Sequence, residues 1–279
     1  MPHWATLPRF GAANSRLVEK KALTPLQVKA FESGFSAEST LEAMDAEGVD
    51  VAVLYRTVAG ILIACSDELD AGYAAAACRA YNNWLAGYCR AEPSRLKGAA
   101  LIPLLDVDLA IAEAQRAALD LGFIGVCVYP EPMNDRLLYD EEMEPFWSRV
   151  EDLGLAVGVH GTSFAPAKED ISRKYLNHPA GRTVTHALAI PTQMMAAAAG
   201  LILSGVLERH PGPRVAFLEA GCAWLPWFLD RLDDQWENTP TPLCRPRPAA
   251  TSGGSASSRW SRARRWCGTS SGTWRTSAS

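Results

Sequence analysis

The sequence predicts an α/β protein built on a parallel sheet, and three observations carry that prediction. Over residues 39–237, helix-like and strand-like stretches alternate with few interruptions. The strand-like stretches are continuous apolar runs, as expected where crossover helices cover both faces of a sheet. Two of them, LAVGVHG (155–161) and RVAFLEAG (214–221), end in an ionisable residue beside glycine with a helix to follow. A barrel of alternating strands and helices puts its chemistry at that end of the strand.

Taken in order, STLEAMDAEG (39–48) reads as a helix with Ser39 at its cap and glycine at its stop. VDVAVLY (49–55) is a strand. Residues 68–90 form a long helix, with Tyr73, Ala77, Tyr81, Trp84, Leu85 and Tyr88 at helical spacing. LKGAALIPL (96–104) is the next strand, and Asp106 can cap a helix over 107–121. GFIGVCVYP (122–130) is a strand, and 142–153 a helix. After LAVGVHG comes a helix over 190–208, rich in alanine and methionine. RVAFLEAG is the last clear strand, and 223–236 the last helix. That makes five strands. A closed barrel needs eight, whereas an open doubly wound sheet could stop at five or six. No GxGxxG or GxxxxGK[ST] occurs, so nucleotide-binding versions of the open sheet have no support.

Composition excludes several function classes. Of 279 residues, 48% are apolar and 21% charged, ordinary values for a globular chain. A net charge of −4 gives no bulk attraction to nucleic acid or anionic membrane. No apolar run is long enough to span a bilayer. MPHWATLPRFG lacks the basic and apolar regions of a secretion signal, so a cytoplasmic setting is expected. The seven cysteines are an odd number, and Cys65, Cys78, Cys89, Cys127 and Cys222 show no CxxC pairing. They read as buried free thiols, not as a disulfide framework or zinc ribbon. After Asn238 the character changes: no acidic residue, no lysine, and no aliphatic or phenylalanine beyond Leu243 apart from alanine. The division expected is a partial barrel over 1–238 and a tail over 239–279.

GFIGVCVYPEPMNDRLLYDEEMEPFWSRVEDLGLAVGVHG (122–161) and SGVLERHPGPRVAFLEAGCAWLPWFLDRLDDQW (204–236) resemble the amidohydrolase-related family, in its aminocarboxymuconate semialdehyde decarboxylase-like branch. The resemblance covers residues 39–237. It implies a TIM (β/α)8 barrel of metal-dependent hydrolase type, incomplete, with strands two to six present. It also implies one divalent metal, zinc or manganese, and metal-assisted hydrolysis or non-oxidative decarboxylation of a small carboxylated substrate. His160 falls where the family places a metal-binding histidine. Glu219 falls where many members have a histidine acting as acid or base, a departure that bears on a decarboxylase mechanism. Arg56, in VLYRT, falls where members place substrate-binding groups. The family's opening HxH and closing aspartate are missing, so the chain is expected to be truncated at its N-terminus and to hold metal poorly. Read one base out of step through GC-rich codons, ATSGGSASSRWSRARRWCGTSS can give a run resembling the family's seventh strand. A frameshifted C-terminus is the expectation.

Each candidate has a plainer account beside the functional one. His160 is a metal ligand or a core histidine bonded to backbone. Glu219, expected to be buried at a strand end, is a general acid or base, or the cap of the helix beginning at Ala223. Arg56 anchors a substrate carboxylate or sits in a rim salt bridge. His186, in the loop-like GRTVTHALAIP, joins Glu219 as a catalytic candidate or begins a helix. His178 and His210, each before proline, read as structural. Met194, Met195 and the alanine run 196–199 read as a close-packed helix face. Asp135 and Arg136 could touch substrate; a solvated turn is the simpler account. A different class of function is also open: an inactive barrel kept as a binding or oligomerising subunit, since open sheet edges invite pairing. The partners expected are a small-molecule substrate and a second copy of the chain.

Overall fold

The computed structural model describes residues 25–56, 69–161, 175 and 178–243. These fall into two compact units, one of residues 25–54 with Trp84–Lys97, the other of Tyr55–Asn83 with the chain from Gly98 onward. Predictions on residues before 25, on Cys65 and on the tail beyond Leu243 lie outside the described residues.

In the smaller unit, helix α1 (Pro25–Glu32) precedes α2 (Ala37–Glu47). The cap of α2 is Ser36, whose hydroxyl accepts from the Ser39 amide, so Ser39 lies inside the helix and not at its cap. Three residues separate a cap from the amide it satisfies, and either serine fits that pattern by sequence. Gly48, at φ 70°, ends the helix as expected. Strand β1 is short, Ala52–Leu54. Arg95 ties the β1 approach together, donating to the Asp50 and Val49 carbonyls at 3.0 and 2.9 Å and to Asp45 Oδ1 at 2.6 Å.

Helix α3 (Ala71–Cys89) and strand β2 (Leu96–Leu101) contribute to both units. The larger unit continues with α4 (Val107–Leu119), β3 (Gly125–Val128), a 3-10 turn Glu141–Met143 leading into α5 (Glu144–Asp152), and β4 (Ala156–His160). It ends with α6 (Gly181–Leu203), α7 (Val206–Arg209), β5 (Val215–Leu218) and α8 (Trp224–Asn238). Asp106 caps α4 as expected, its Oδ1 accepting from the Leu109 amide at 2.9 Å.

The sheet order is β1-β2-β3-β4-β5, identical to chain order, and the register from β2 to β5 is parallel throughout. This decides between the two architectures that apolar strands alone left open. A doubly wound sheet reverses strand order at a switch point, whereas a barrel wall adds each strand beside the last. The fold is five consecutive strands of a TIM-type wall with their crossover helices. β3 is buried along its whole length, and Phe146 and Trp147 of α5 are fully buried, Trp147 donating to the Leu138 carbonyl at 2.7 Å.

Two helices depart from expectation. Tyr73 and Trp84 of α3 are exposed; the buried face is Ala74, Cys78, Asn82, Leu85 and Cys89. Asn82 earns its place by donating to the Leu101 carbonyl at 2.9 Å and accepting from the Leu101 amide at 2.8 Å, serving the end of β2 as a neighbouring strand would. Beside it, burial and then the Glu113 charge push the Cys78 thiol up to about 12, an inert structural thiol. Helix α6 begins nine residues before the expected start and carries Pro191 inside it. Pro191 offers no N–H to the Ala187 carbonyl, and in the next step of the ladder the Thr192 hydroxyl donates to Leu188 O at 2.7 Å. The helix expected to run on to 208 breaks at Gly205, φ 78°.

Candidate functional site

The site assembles at the carboxyl end of β4. Tyr55 lies against Gly158, where any Cβ would collide with its ring, and its carbonyl accepts from Tyr81 Oη at 3.3 Å. That holds the next residue, Arg56, beside the end of β4. Arg56 is 5% exposed, and its Nη2 donates to the His160 carbonyl at 2.8 Å and lies 3.4 Å from His160 Nδ1. Its guanidinium sits over the Tyr129 ring, 4.1 Å from the centroid. Among the described residues Nε and Nη1 are buried with no oxygen or nitrogen acceptor, and the guanidinium's nearness to the Cys127 thiol opposes the upward push of burial on that thiol. Each flanks Nη2, so whichever lies beside the Nη2 N–H that the His160 carbonyl leaves free completes the parallel pair that a carboxylate matches.

His160 Nδ1 is 2.7 Å from the Gly161 carbonyl, which can only accept, so Nδ1 carries the proton and Nε2 the lone pair. Burial and then the Arg56 charge hold the imidazole below its ordinary pKa, against the opposing pull of the Gly161 bond and Glu219. A neutral ring with its lone pair at Nε2 is the form that binds a metal or accepts a proton. Glu219 Oε1 is 3.7 Å from that Nε2.

Glu219 does not sit as expected. Its side chain is 59% exposed, not buried, because the residue adopts φ 58° directly after β5 and turns away from the strand's apolar alternation. A non-glycine residue in that region stores strain of about 1 kcal/mol. The helix-cap alternative is not realised either: Ala223 occupies the N-cap position of α8 and no side chain caps it. His186 lies on α6 and not in a loop, since the helix begins at Gly181 and runs through Pro191; its side chain lies outside the described residues.

The remaining candidates are structural in their contacts. His178 Nδ1 accepts from the Ala180 amide at 3.1 Å. His210 Nε2 is 2.9 Å from Glu144 Oε2 and Nδ1 is 3.3 Å from Glu151 Oε2. Arg136 braces the loop after β2 through the Leu104 and Leu105 carbonyls at 3.0 and 3.1 Å, and Asp135 occupies a tight turn at φ 58°. Met194, Ala197 and Ala198 are buried, and Cys222 is only half-buried where full burial was expected.

A metal was tested against these donors. Structural and catalytic zinc sites use three or four protein ligands. Among the described residues, no three His, Cys, Asp or Glu side chains gather closely enough to hold an ion. His160 and Glu219 supply two at most, so the described residues do not fit a resident metal. Sequence reading missed Tyr129, the aromatic floor of Arg56; its signal was an aromatic at the end of the apolar run GVCVYP.

The amidohydrolase family model matches residues 26–268, running past residue 238 where composition changes. The chain belongs to the amidohydrolase family. A gamma-resorcylate decarboxylase of Rhodococcus jostii is 33% identical over 172 residues, covering 58% of this chain and 50% of that protein. The crystal structure of 2,6-dihydroxybenzoate decarboxylase from Rhizobium is 28% identical with a TM-score of 0.58, covering 76% of this chain and 63% of that one. A dihydroxybenzoic acid decarboxylase of Polaromonas, solved with bound manganese and 2-nitroresorcinol, shares the fold at TM-score 0.59 and 22% identity, over 79% of this chain and 64% of its own. The chain thus spans about half the length of the curated relative. No helix among the described residues is long and apolar enough to cross a membrane.

Proposed function

We propose that this amidohydrolase-family chain handles a small carboxylated aromatic compound by non-oxidative decarboxylation. The observation that carries the reading is Arg56: a buried cation with two unused donors beside the terminal histidine of β4. Decarboxylation is favoured over hydrolysis, and over a purely oligomerising role, because the similar proteins are named decarboxylases.

In this reading Arg56 holds the substrate carboxylate through charge-assisted hydrogen bonds. The C–C electron pair passes to the ring carbon as carbon dioxide leaves, and that carbon takes a proton. Glu219 carries the proton, and His186 is the second candidate for that task. The backbone carbonyl of His160 fixes Arg56, and the neutral His160 ring lies beside it. The divalent metal implied by the family, zinc or manganese, would be held weakly through His160, and no step is assigned to it. A cytoplasmic setting and a homo-oligomer belong to the same reading.

The test is to incubate the chain with 2,6-dihydroxybenzoate, with and without manganese, and quantify resorcinol and carbon dioxide. Slow product formation abolished by Arg56→Met is expected. Neither binding nor product would end the proposal. Metal analysis after gentle purification is expected well below one equivalent per chain, and a value near one would overturn the weak-metal statement.

A further inference from the structure

The Arg56 guanidinium is held in an unusual way for a buried charge. Removing a cation from water is costly, and proteins commonly offset this with a carboxylate. Among the described residues its contacts are with neutral groups: the His160 carbonyl at 2.8 Å, the His160 ring at 3.4 Å, the face of Tyr129 at 4.1 Å, and the Cys127 thiol. Tyr129 follows β3 directly and is 1% exposed, so its ring is fixed by the wall.

An aromatic face stabilises a cation by about 0.5–2 kcal/mol through its quadrupole. It does so from above the guanidinium plane, so it occupies none of the in-plane N–H donors. A carboxylate in the same role would have consumed two of them and neutralised the charge. The ring face therefore fixes the plane of the fork, the His160 carbonyl fixes one corner of it, and Nε and Nη1 are left for an acceptor.

We propose that Tyr129 is a positioning residue that orients Arg56 for an anionic group, leaving its charge and one in-plane pair of N–H donors, Nη2 with either Nε or Nη1, open to a substrate carboxylate. The inference rests on the carboxylate reading of Arg56. It predicts selectivity for charge: Tyr129 matters to the affinity for an acid and not to that for its neutral counterpart.

The experiment is calorimetric titration of the full chain with 2,6-dihydroxybenzoate and with resorcinol, the same diol without the carboxylate. Tyr129→Leu should weaken the acid by about 3- to 30-fold, the cation–π range expressed as affinity, and leave resorcinol unchanged. Tyr129→Phe, which keeps the ring face, should stay within about 3-fold of wild type for the acid. Should the leucine variant fail to fold, Tyr129→Met removes the same face with a flexible, volume-filling side chain. Unchanged acid affinity in the leucine or methionine variant, or equal loss for acid and diol, overturns the positioning role. Arg56→Met separates the two claims. If it binds the acid as tightly as wild type, or if wild type binds no acid, the carboxylate reading itself falls and the role of Tyr129 falls with it.

Discussion

Two histidine-centred clusters in the larger unit differ in one respect, the saturation of their polar atoms. At His210 both ring nitrogens face carboxylates, Glu144 also takes the Arg209 guanidinium, and Glu151 Oε1 accepts from the Gly212 amide at 2.6 Å. Every charge there has a counter-charge, and the cluster ties α5 to the chain after α7. At His160 the Glu219 carboxylate is 3.7 Å away, and among the described residues two buried donors of Arg56 meet no acceptor. A saturated network spends its hydrogen bonds on the fold. An unsaturated one leaves donors open, and the proposed carboxylate would fill them. The same residue types thus have opposite readings, and the accounting of donors separates them.

Four outcomes would sharpen or break this contrast. The largest effect belongs to Arg56: Arg56→Met should lower affinity for 2,6-dihydroxybenzoate by about 10- to 100-fold, since each charge-assisted hydrogen bond contributes about 1.5–3 kcal/mol. Next, His210→Ala should destabilise the protein by about 2 kcal/mol in denaturant unfolding while leaving that affinity unchanged. The partial exposure of Glu144 keeps the figure below that of a fully buried pair. An affinity loss equal to that of Arg56→Met would erase the distinction.

The third outcome concerns acid. The Arg209 hydrogen bond, and then that from His210, hold the Glu144 carboxyl below its ordinary value despite partial burial. A depressed folded pKa gives stability that is present above the ordinary glutamate range and lost as pH falls through the lowered value. The melting temperature of wild type should therefore drop on acidification through that window, and Glu144→Gln should flatten the drop. An identical profile in the variant would show that the cluster does not stabilise the fold. The smallest effect is at a cap remote from both clusters: Asp106→Ala should cost about 1 kcal/mol through loss of the Leu109 amide bond. Binding should not change.

Much of the fold was legible because its signals are local. The five strands are apolar runs, and Asp106 and Gly48 punctuate helices by their own chemistry. The barrel-type order became visible only in the pairing register. The face of α3 was misread because Ala74, Cys78 and Asn82 look unremarkable beside Tyr73 and Trp84, and only the requirement of Leu101 for a partner explains a buried asparagine. α6 was shortened because GRTVTHALAIP, with glycine at its start, β-branched residues and proline at its end, reads as loop-like, whereas the helix runs through it. At the site, His160 and Arg56 were nameable from strand ends and from resemblance. The outward turn of Glu219 depends on a left-handed backbone at one residue, which its apolar neighbours do not announce. Tyr129 was missed because a cation–π contact joins residues 73 positions apart by the chain numbering of Arg56 and Tyr129.

The most direct test of the central claim is the shift in melting temperature produced by saturating 2,6-dihydroxybenzoate, measured side by side on wild type, His210→Ala and Arg56→Met. A ligand that binds only the folded state raises its stability by mass action. The account predicts a concentration-dependent rise for wild type and for His210→Ala, and a much smaller one, displaced to higher ligand concentration, for Arg56→Met. A rise of equal size in Arg56→Met would contradict it.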